Sequence, residues 1–154
     1  MISLQEKGAL LVESERKLAV SSTHEKNLAL REVAHSIDHN REEILKANAL
    51  DVENARKSGM KEGLVDRLLL DHGRIDGIIE SLYTVIKLPD PIWKSDRVWT
   101  LENGLTISKM TVPLGVIVNV DESRPNVTVD AFGLALKSGN AILLRGSSTA
   151  IHSN

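Results

Sequence analysis

Apolar residues recur at helical spacing from the start of the chain to about residue 90. Leu4, Ala9, Leu11, Val12 and Leu18 trace the first stripe. Ser22 and Glu25 then stand three apart, the spacing of a capping box, and Leu28, Val33, Ala34 and Ile37 continue the pattern behind them. Ile44, Leu45, Ala49, Val52 and Ala55 form the next stripe, and Gly59 occupies the position of a helix-ending glycine. A short helix is predicted over 63–69 and a longer one over 71–87. The prolines of LPDPIW (88–93) end the helical part, because proline has no amide proton and clashes with the preceding turn.

The pattern changes after Trp93. Val98, Thr100, Leu105, Ile107 and Val112 suit strands over 97–102 and 105–112, and Asn103-Gly104 between them is the preferred pair for a two-residue type I′ hairpin. VPLGVIVNV (112–120) is too continuously apolar to have one wet face and predicts a fully buried strand. Val127 to Lys137 predicts a helix that stops at Ser138-Gly139, and AILLR (141–145) predicts a second buried strand. Strand, loop, helix, strand is one βαβ unit, with two parallel strands side by side. The fold class is therefore α/β. Its parts are a helical part over 1–96, a hairpin over 97–112 and a βαβ unit over 113–154.

Two parallel strands need partners on both faces and along the open edge. The expectation is that these residues are the N-terminal portion of a larger α/β domain. The alternative is a compact small domain whose own helices cover both strands.

Composition narrows the chemistry. The 154 residues contain no cysteine, so disulfides, zinc thiolates and a cysteine nucleophile cannot come from them. A formal charge of −2 argues against a broad nucleic-acid footprint. The N-terminus has no apolar core of a signal peptide, and no run approaches the ~18 apolar residues of a membrane span. An intracellular, cytoplasmic protein is the simplest expectation.

The most informative stretch is DESRPNVTVD (121–130), directly beyond the first buried strand. Open α/β sheets bind ligands beyond the carboxyl ends of their strands, which puts Asp121, Glu122, Ser123, Arg124, Pro125 and Asn126 at the natural site. Pro125 restricts Arg124 to extended conformations. Asn126 has two readings: a side-chain cap for the following helix, or an amide aimed at a developing oxyanion. Arg145, Gly146, Ser147 and Ser148 stand at the end of the second strand. A guanidinium, a glycine and two hydroxyls suit a phosphate or a ribose, although an arginine there can equally be solvated. No G-x-G-x-x-G and no G-x-x-x-x-G-K-[ST] occurs. His35 and His39 have metal-binding spacing but no third ligand, and read as exposed histidines. Asp130 reads as support for the helix N-terminus.

The strings VPLGVI, ESRPNVTVD and LKSGNAILLRG resemble the corresponding segment of the γ-glutamyl phosphate reductase family, within the aldehyde dehydrogenase superfamily. EKN at 25–27, ILKANALDVENARKSGM, LVDRLLL and LPDPI extend the resemblance along essentially the whole chain. The resemblance implies reduction of L-glutamate 5-phosphate to the semialdehyde with NADPH, in proline biosynthesis, by a homo-oligomer with no nucleic-acid or membrane partner. It implies that 97–112 corresponds to oligomerisation strands and 113–154 to the opening of the cofactor domain. Asn126 matches the asparagine whose amide helps form the oxyanion hole. Arg145 matches a basic residue that faces the adenosine ribose, with Gly146, Ser147 and Ser148 in the same cofactor stretch. Glu122 and Arg124 belong to the motif that lines the substrate site.

Two runs depart from the family pattern. Val118 to Asp121 is more polar than usual, and Gly146-Ser147 stands where Gly-Gly is common. The family's catalytic cysteine lies beyond the matched segment, so the 154 residues alone are expected to be inactive. The alternative reading is a non-catalytic fragment that folds or self-associates and binds nucleotide weakly or not at all.

Overall fold

The structure, a computed structural model, describes residues 3–154, so the helical part expected over 1–96 is seen from Ser3 onward. Five helices come first: α1 Leu4–Ala19, α2 Thr23–His39, α3 Arg41–Lys57, α4 Glu62–Leu68 and α5 His72–Lys87. Strands β1 Ser95–Thr100 and β2 Thr106–Met110 pair as an antiparallel hairpin. Strand β3 Val116–Val120, helix α6 Pro125–Lys137 and strand β4 Ala141–Arg145 form the βαβ unit, with β3 and β4 parallel. A 3-10 turn, Ser148–Ala150, follows.

Local chemistry sets these boundaries. The Ser22 amide donates to Glu25 Oε2 at 2.7 Å and the Glu25 amide donates to Ser22 Oγ at 3.2 Å, the reciprocal capping box of α2. Those bonds, the backbone one first, hold the Glu25 carboxyl below its ordinary range. Ser3 and Glu6 build the same box at the head of α1. Helix α3 ends as Gly59 predicts. Gly59 takes φ +77°, its amide donates to Arg56 O, and the Met60 amide donates to Ala55 O. This is a Schellman closure. Gly139 (φ +72°) closes α6 in the same way through Leu136 and Ala135.

One core joins the helical part to the βαβ unit. Leu30 and Ala34 of α2, Leu82 and Val85 of α5 and Leu136 of α6 pack together. A second core unites α3, α4 and the 3-10 turn through Val52, Ala55, Val65, Leu68 and Ala150. Each fully buried Leu or Val contributes about 1.5–3 kcal/mol, so these clusters fix where α5 and α6 meet. A buried polar hub reinforces the second core. Asn48 donates to Leu68 O and accepts from the Leu70 amide, while Asp51 accepts from the amides of His152 and Ser153 and from the Ser153 hydroxyl.

Three expectations need correction. The hairpin loop is not a two-residue type I′ turn. Leu101 N–H donates to Leu105 O around a three-residue loop, with Gly104 alone in it at positive φ (+83°). The Leu105 amide donates to Asn103 Oδ1, and Asn103 stays out of the left-handed region that type I′ demands of both central residues. Second, β3 is not fully buried. Ile117 and Asn119 are half-buried, while Val116, Val118 and Val120 are exposed, and most of β4 is only half-buried. Helices α1 and α6 both pack on β4, yet the two-stranded sheet still leaves the valines of β3 exposed, as the partner argument anticipates. Third, α6 begins at Pro125 rather than Val127. Proline is pre-set for the first helical position, Arg124 is the N-cap with extended backbone (φ −131°, ψ 95°), and no side chain caps this helix.

Candidate functional site

The core packing that brings α5 against α6 also opens a cleft of about 540 Å³ at the N-terminal end of α6. Arg124, Asn126 and Asp130 line it from the β3–α6 segment, and Arg74, Ile78 and Ser81 line it from α5. Asp66 and Arg67 of α4 form its rim. Asn126 is exposed in this cleft, on the second position of α6, and its side chain makes no capping bond. Of its two sequence readings, the cap is not the one adopted. Asp130 lies beyond the first turn of α6, and its carboxylate accepts from Ser81 Oγ at 2.7 Å. It therefore faces α5 rather than serving the helix end.

The guanidinium groups differ in availability. Arg74 Nη2 sits 2.6 Å from Asp66 Oδ1, and its Nη1 donates to the carbonyls of Asp66 and Leu69. Arg67 and Arg124 make no ion pair among the described residues. Glu122 is exposed and does not line the cleft; its amide donates to Asp121 Oδ1 at 2.8 Å.

The carboxyl ends of β3 and β4 form a second place, joined by the Asp121 amide donating to Arg145 O at 2.9 Å. Arg145 and Ser148 are exposed there. Ser147 is committed locally: its hydroxyl accepts from the Thr149 amide and meets Thr149 Oγ1 at 2.9 Å, while Thr149 Oγ1 lies 2.7 Å from Ser123 Oγ. Gly146 is closely covered by the Asn154 side chain, so a Cβ there would collide with it. Asn119 Nδ2 and Asp121 Oδ2 are buried here without a hydrogen-bond partner among the described residues.

Sequence reading found Arg124 and Asn126 from their loop, but not Arg67, Arg74 or Ser81. The usable signal was the polar and small stripe Arg74, Gly77, Ser81, which recurs at helical spacing on a helix otherwise apolar on its packed face. A larger groove of about 880 Å³ runs between α2 and α5 past His35, His39 and Tyr83. Its guanidinium, Arg41, is already held by Asp38 and Asp76 at 2.7 and 2.6 Å.

No helix among the described residues is long and apolar enough to cross a membrane. No family model matches the chain. The γ-glutamyl phosphate reductase of Alkaliphilus metalliredigens is 57% identical over 154 residues, which are 100% of this chain and 37% of that relative. The crystal structure of γ-glutamyl phosphate reductase from Thermotoga maritima superposes with a TM-score of 0.95 at 49% identity, over 99% of this chain and 37% of that one. The Saccharomyces cerevisiae γ-glutamyl phosphate reductase follows at a TM-score of 0.92, 28% identity, and 99% and 39% of the two chains. A Bacillus subtilis protein described as a putative aldehyde dehydrogenase shares the fold at a TM-score of 0.67 and 16% identity, over 97% of this chain and 31% of that one. The chain thus spans little more than a third of the relatives it matches. Sequence and fold agree that the chain matches the N-terminal portion of the γ-glutamyl phosphate reductases and of their aldehyde-dehydrogenase fold.

Proposed function

We propose that these residues form the N-terminal part of a cytoplasmic, homo-oligomeric reductase that converts L-glutamate 5-phosphate to L-glutamate 5-semialdehyde with NADPH, in proline biosynthesis. The observation that carries this reading is the 57% identity to a γ-glutamyl phosphate reductase along the entire chain. The helical part (1–96) and the βαβ unit (113–154) belong to the cofactor domain, which suits the core shared by α2, α5 and α6. The hairpin (97–112) supplies oligomerisation strands.

Asn126 is the oxyanion donor. Its side chain lines an open cleft and is not spent on capping α6. When the acyl oxygen gains charge, one preorganised donor stabilises it by about 3 kcal/mol. Arg124 lines the acyl site from the N-cap of the same helix. Glu122 borders it without entering the cleft. Arg145 is placed for a cofactor phosphate, with Gly146, Ser147 and Ser148 along the same turn. The exposed Arg145 guanidinium, unpaired among the described residues, and the exposed Ser148 hydroxyl are donors that suit a phosphorylated group there. NADPH, when bound, supplies the hydride. The cysteine nucleophile is not among these residues, so by themselves they give no turnover.

The test is a chimera in which this segment replaces its counterpart in the Alkaliphilus metalliredigens reductase. NADPH-dependent turnover of the acyl phosphate is expected. A folded chimera without turnover, beside an active parent, sinks the reading.

A second reading is a non-catalytic piece that self-associates and binds nucleotide weakly or not at all. It is favoured by the hairpin, where every residue of β1 is exposed, including Val98 and Trp99. Sedimentation of the 154-residue chain tests it. A clean monomer at high concentration removes the hairpin pairing, and an NADPH titration separates weak binding from none.

A further inference from the structure

The cleft at the head of α6 holds more chemistry than an oxyanion requires. Asn126 and Asp130 are four residues apart on one helix, so they lie on one face, about 6 Å apart along its axis. Both line the cleft. Asp130 is held in place from across the cleft by Ser81 Oγ, 2.7 Å from its Oδ1. That hydroxyl has one proton and two acceptors within reach, the Asp130 carboxylate and the Ile78 carbonyl at 2.8 Å. The charged acceptor is the stronger of the two.

Charge sets the chemistry further. Arg74, the cation on α5, is neutralised by Asp66. Asp130 has no cationic partner among the described residues, and neither Arg67 nor Arg124 has an anionic one. A half-buried carboxylate and two unpaired guanidiniums on one cleft complement a zwitterion rather than a simple anion.

We propose that Asp130, positioned by Ser81, is a specificity residue that receives the α-ammonium of an α-amino-acid acyl substrate, with Arg67 and Arg124 facing its carboxylate. The inference rests on the function proposed above and adds a residue-level account of substrate choice. Its geometry is one of length. In a glutamyl chain four bonds separate the acyl carbon from the amino nitrogen, about 5 Å when extended. One helical turn separates Asn126 from Asp130, about 6 Å. An acyl oxygen at Asn126 therefore delivers the amine to Asp130 in a single extended pose. A five-carbon acyl group without the amine leaves the Asp130 carboxylate unpaired, which is how a site built for a polar group rejects an analogue that lacks it.

The experiment is a ¹H–¹⁵N NMR titration of the 154-residue chain with L-glutamate and, separately, glutarate, which differ only in the α-amino group. L-Glutamate is expected to shift amides of α6 around Asn126–Asp130 and of α5 around Gly77–Ser81 at about tenfold lower concentration than glutarate. Asp130→Asn keeps the size of the side chain and removes its charge; it is expected to abolish that preference. Equal binding of the two ligands, or a preference that survives Asp130→Asn, overturns the role of Asp130 and leaves the acyl site standing. If neither ligand moves cleft amides, the acyl-site reading falls with it. Should Asp130→Asn not fold, the two ligands on the unsubstituted chain decide the matter.

Discussion

Lys26 Nζ lies 2.6 Å from Asp90 Oδ2, with the lysine side chain 1% exposed and the aspartate 15%. This ion pair ties the first turn of α2 to the proline loop after α5. Thr23 Oγ1 donates to the same carboxylate oxygen at 2.7 Å, and the Ile92 amide reaches the other at 3.3 Å. A buried pair of this kind is weak evidence for net stability, but breaking it from one side strands a charge. Asp90→Ala is therefore expected to lower unfolding stability by about 3 kcal/mol, the lower end for a buried pair because the carboxylate is partly wet. The double variant Lys26→Met/Asp90→Ala should recover much of that loss. Urea denaturation of the three proteins checks it. Equal losses in the single and double variants would show that the charge is not the cause.

The same carboxylate makes stability depend on pH. Burial pushes the Asp90 carboxyl upward, but hydrogen bonds from Lys26, Thr23 and the Ile92 amide outweigh it, and the net shift is downward. A group with a depressed folded pKa contributes stability above its unfolded value, and that contribution is lost as pH falls through the folded value. The native chain should therefore lose stability below about pH 4, where the unfolded carboxyl protonates. Asp90→Asn should flatten that part of the curve. Thermal melts between pH 2 and 6, compared for the two proteins, decide it; parallel curves would acquit Asp90.

The two helix-ending glycines offer a matched pair. Gly59 and Gly139 both take positive φ, +77° and +72°. A Cβ at Gly59 meets nothing within 4 Å, whereas one at Gly139 meets Ile92 Cδ1 at 2.8 Å and Pro113 Cγ at 3.2 Å. Gly59→Ala should cost about 1 kcal/mol, the left-handed backbone penalty alone. Gly139→Ala adds a steric clash at the seat of the βαβ unit, so its total should exceed that by about 1–3 kcal/mol. Chemical denaturation of both variants measures the difference. Equal costs would mean that the Ile92 side chain moves aside freely.

What the sequence disclosed divides along a physical line. Ser22 with Glu25, Gly59 and Gly139 act through neighbours within a few residues, so their roles were legible from spacing. Pro125 was legible as a constraint on Arg124, yet the helix starts at the proline itself, because proline suits the first helical position. Asn103-Gly104 misled because Asn103 uses its side chain to hold the Leu105 amide, which a type I′ turn does not need. The continuous apolar run before Asp121 implied burial on both faces, but burial is a property of partners, and Val116, Val118 and Val120 stay exposed. The cleft itself could not be read locally. Arg67, Arg74 and Ser81 come from helices more than forty positions before Asn126, and only the packing of α5 on α6 brings them to it.

Asn126 carries the sharpest catalytic prediction. Its side chain neither caps α6 nor bonds any described residue, so truncating it removes little from the fold. In the chimera with the Alkaliphilus metalliredigens reductase, Asn126→Ala should lower kcat by about 10²–10³, the effect of losing one oxyanion donor, while stability stays within about 0.5 kcal/mol. Because the donor acts on charge that develops only in the transition state, kcat and kcat/KM should fall together. Steady-state kinetics and a parallel melt test both halves. A rise in KM with kcat unchanged would instead make Asn126 a ground-state binding residue, and an unaffected enzyme would remove it from the site.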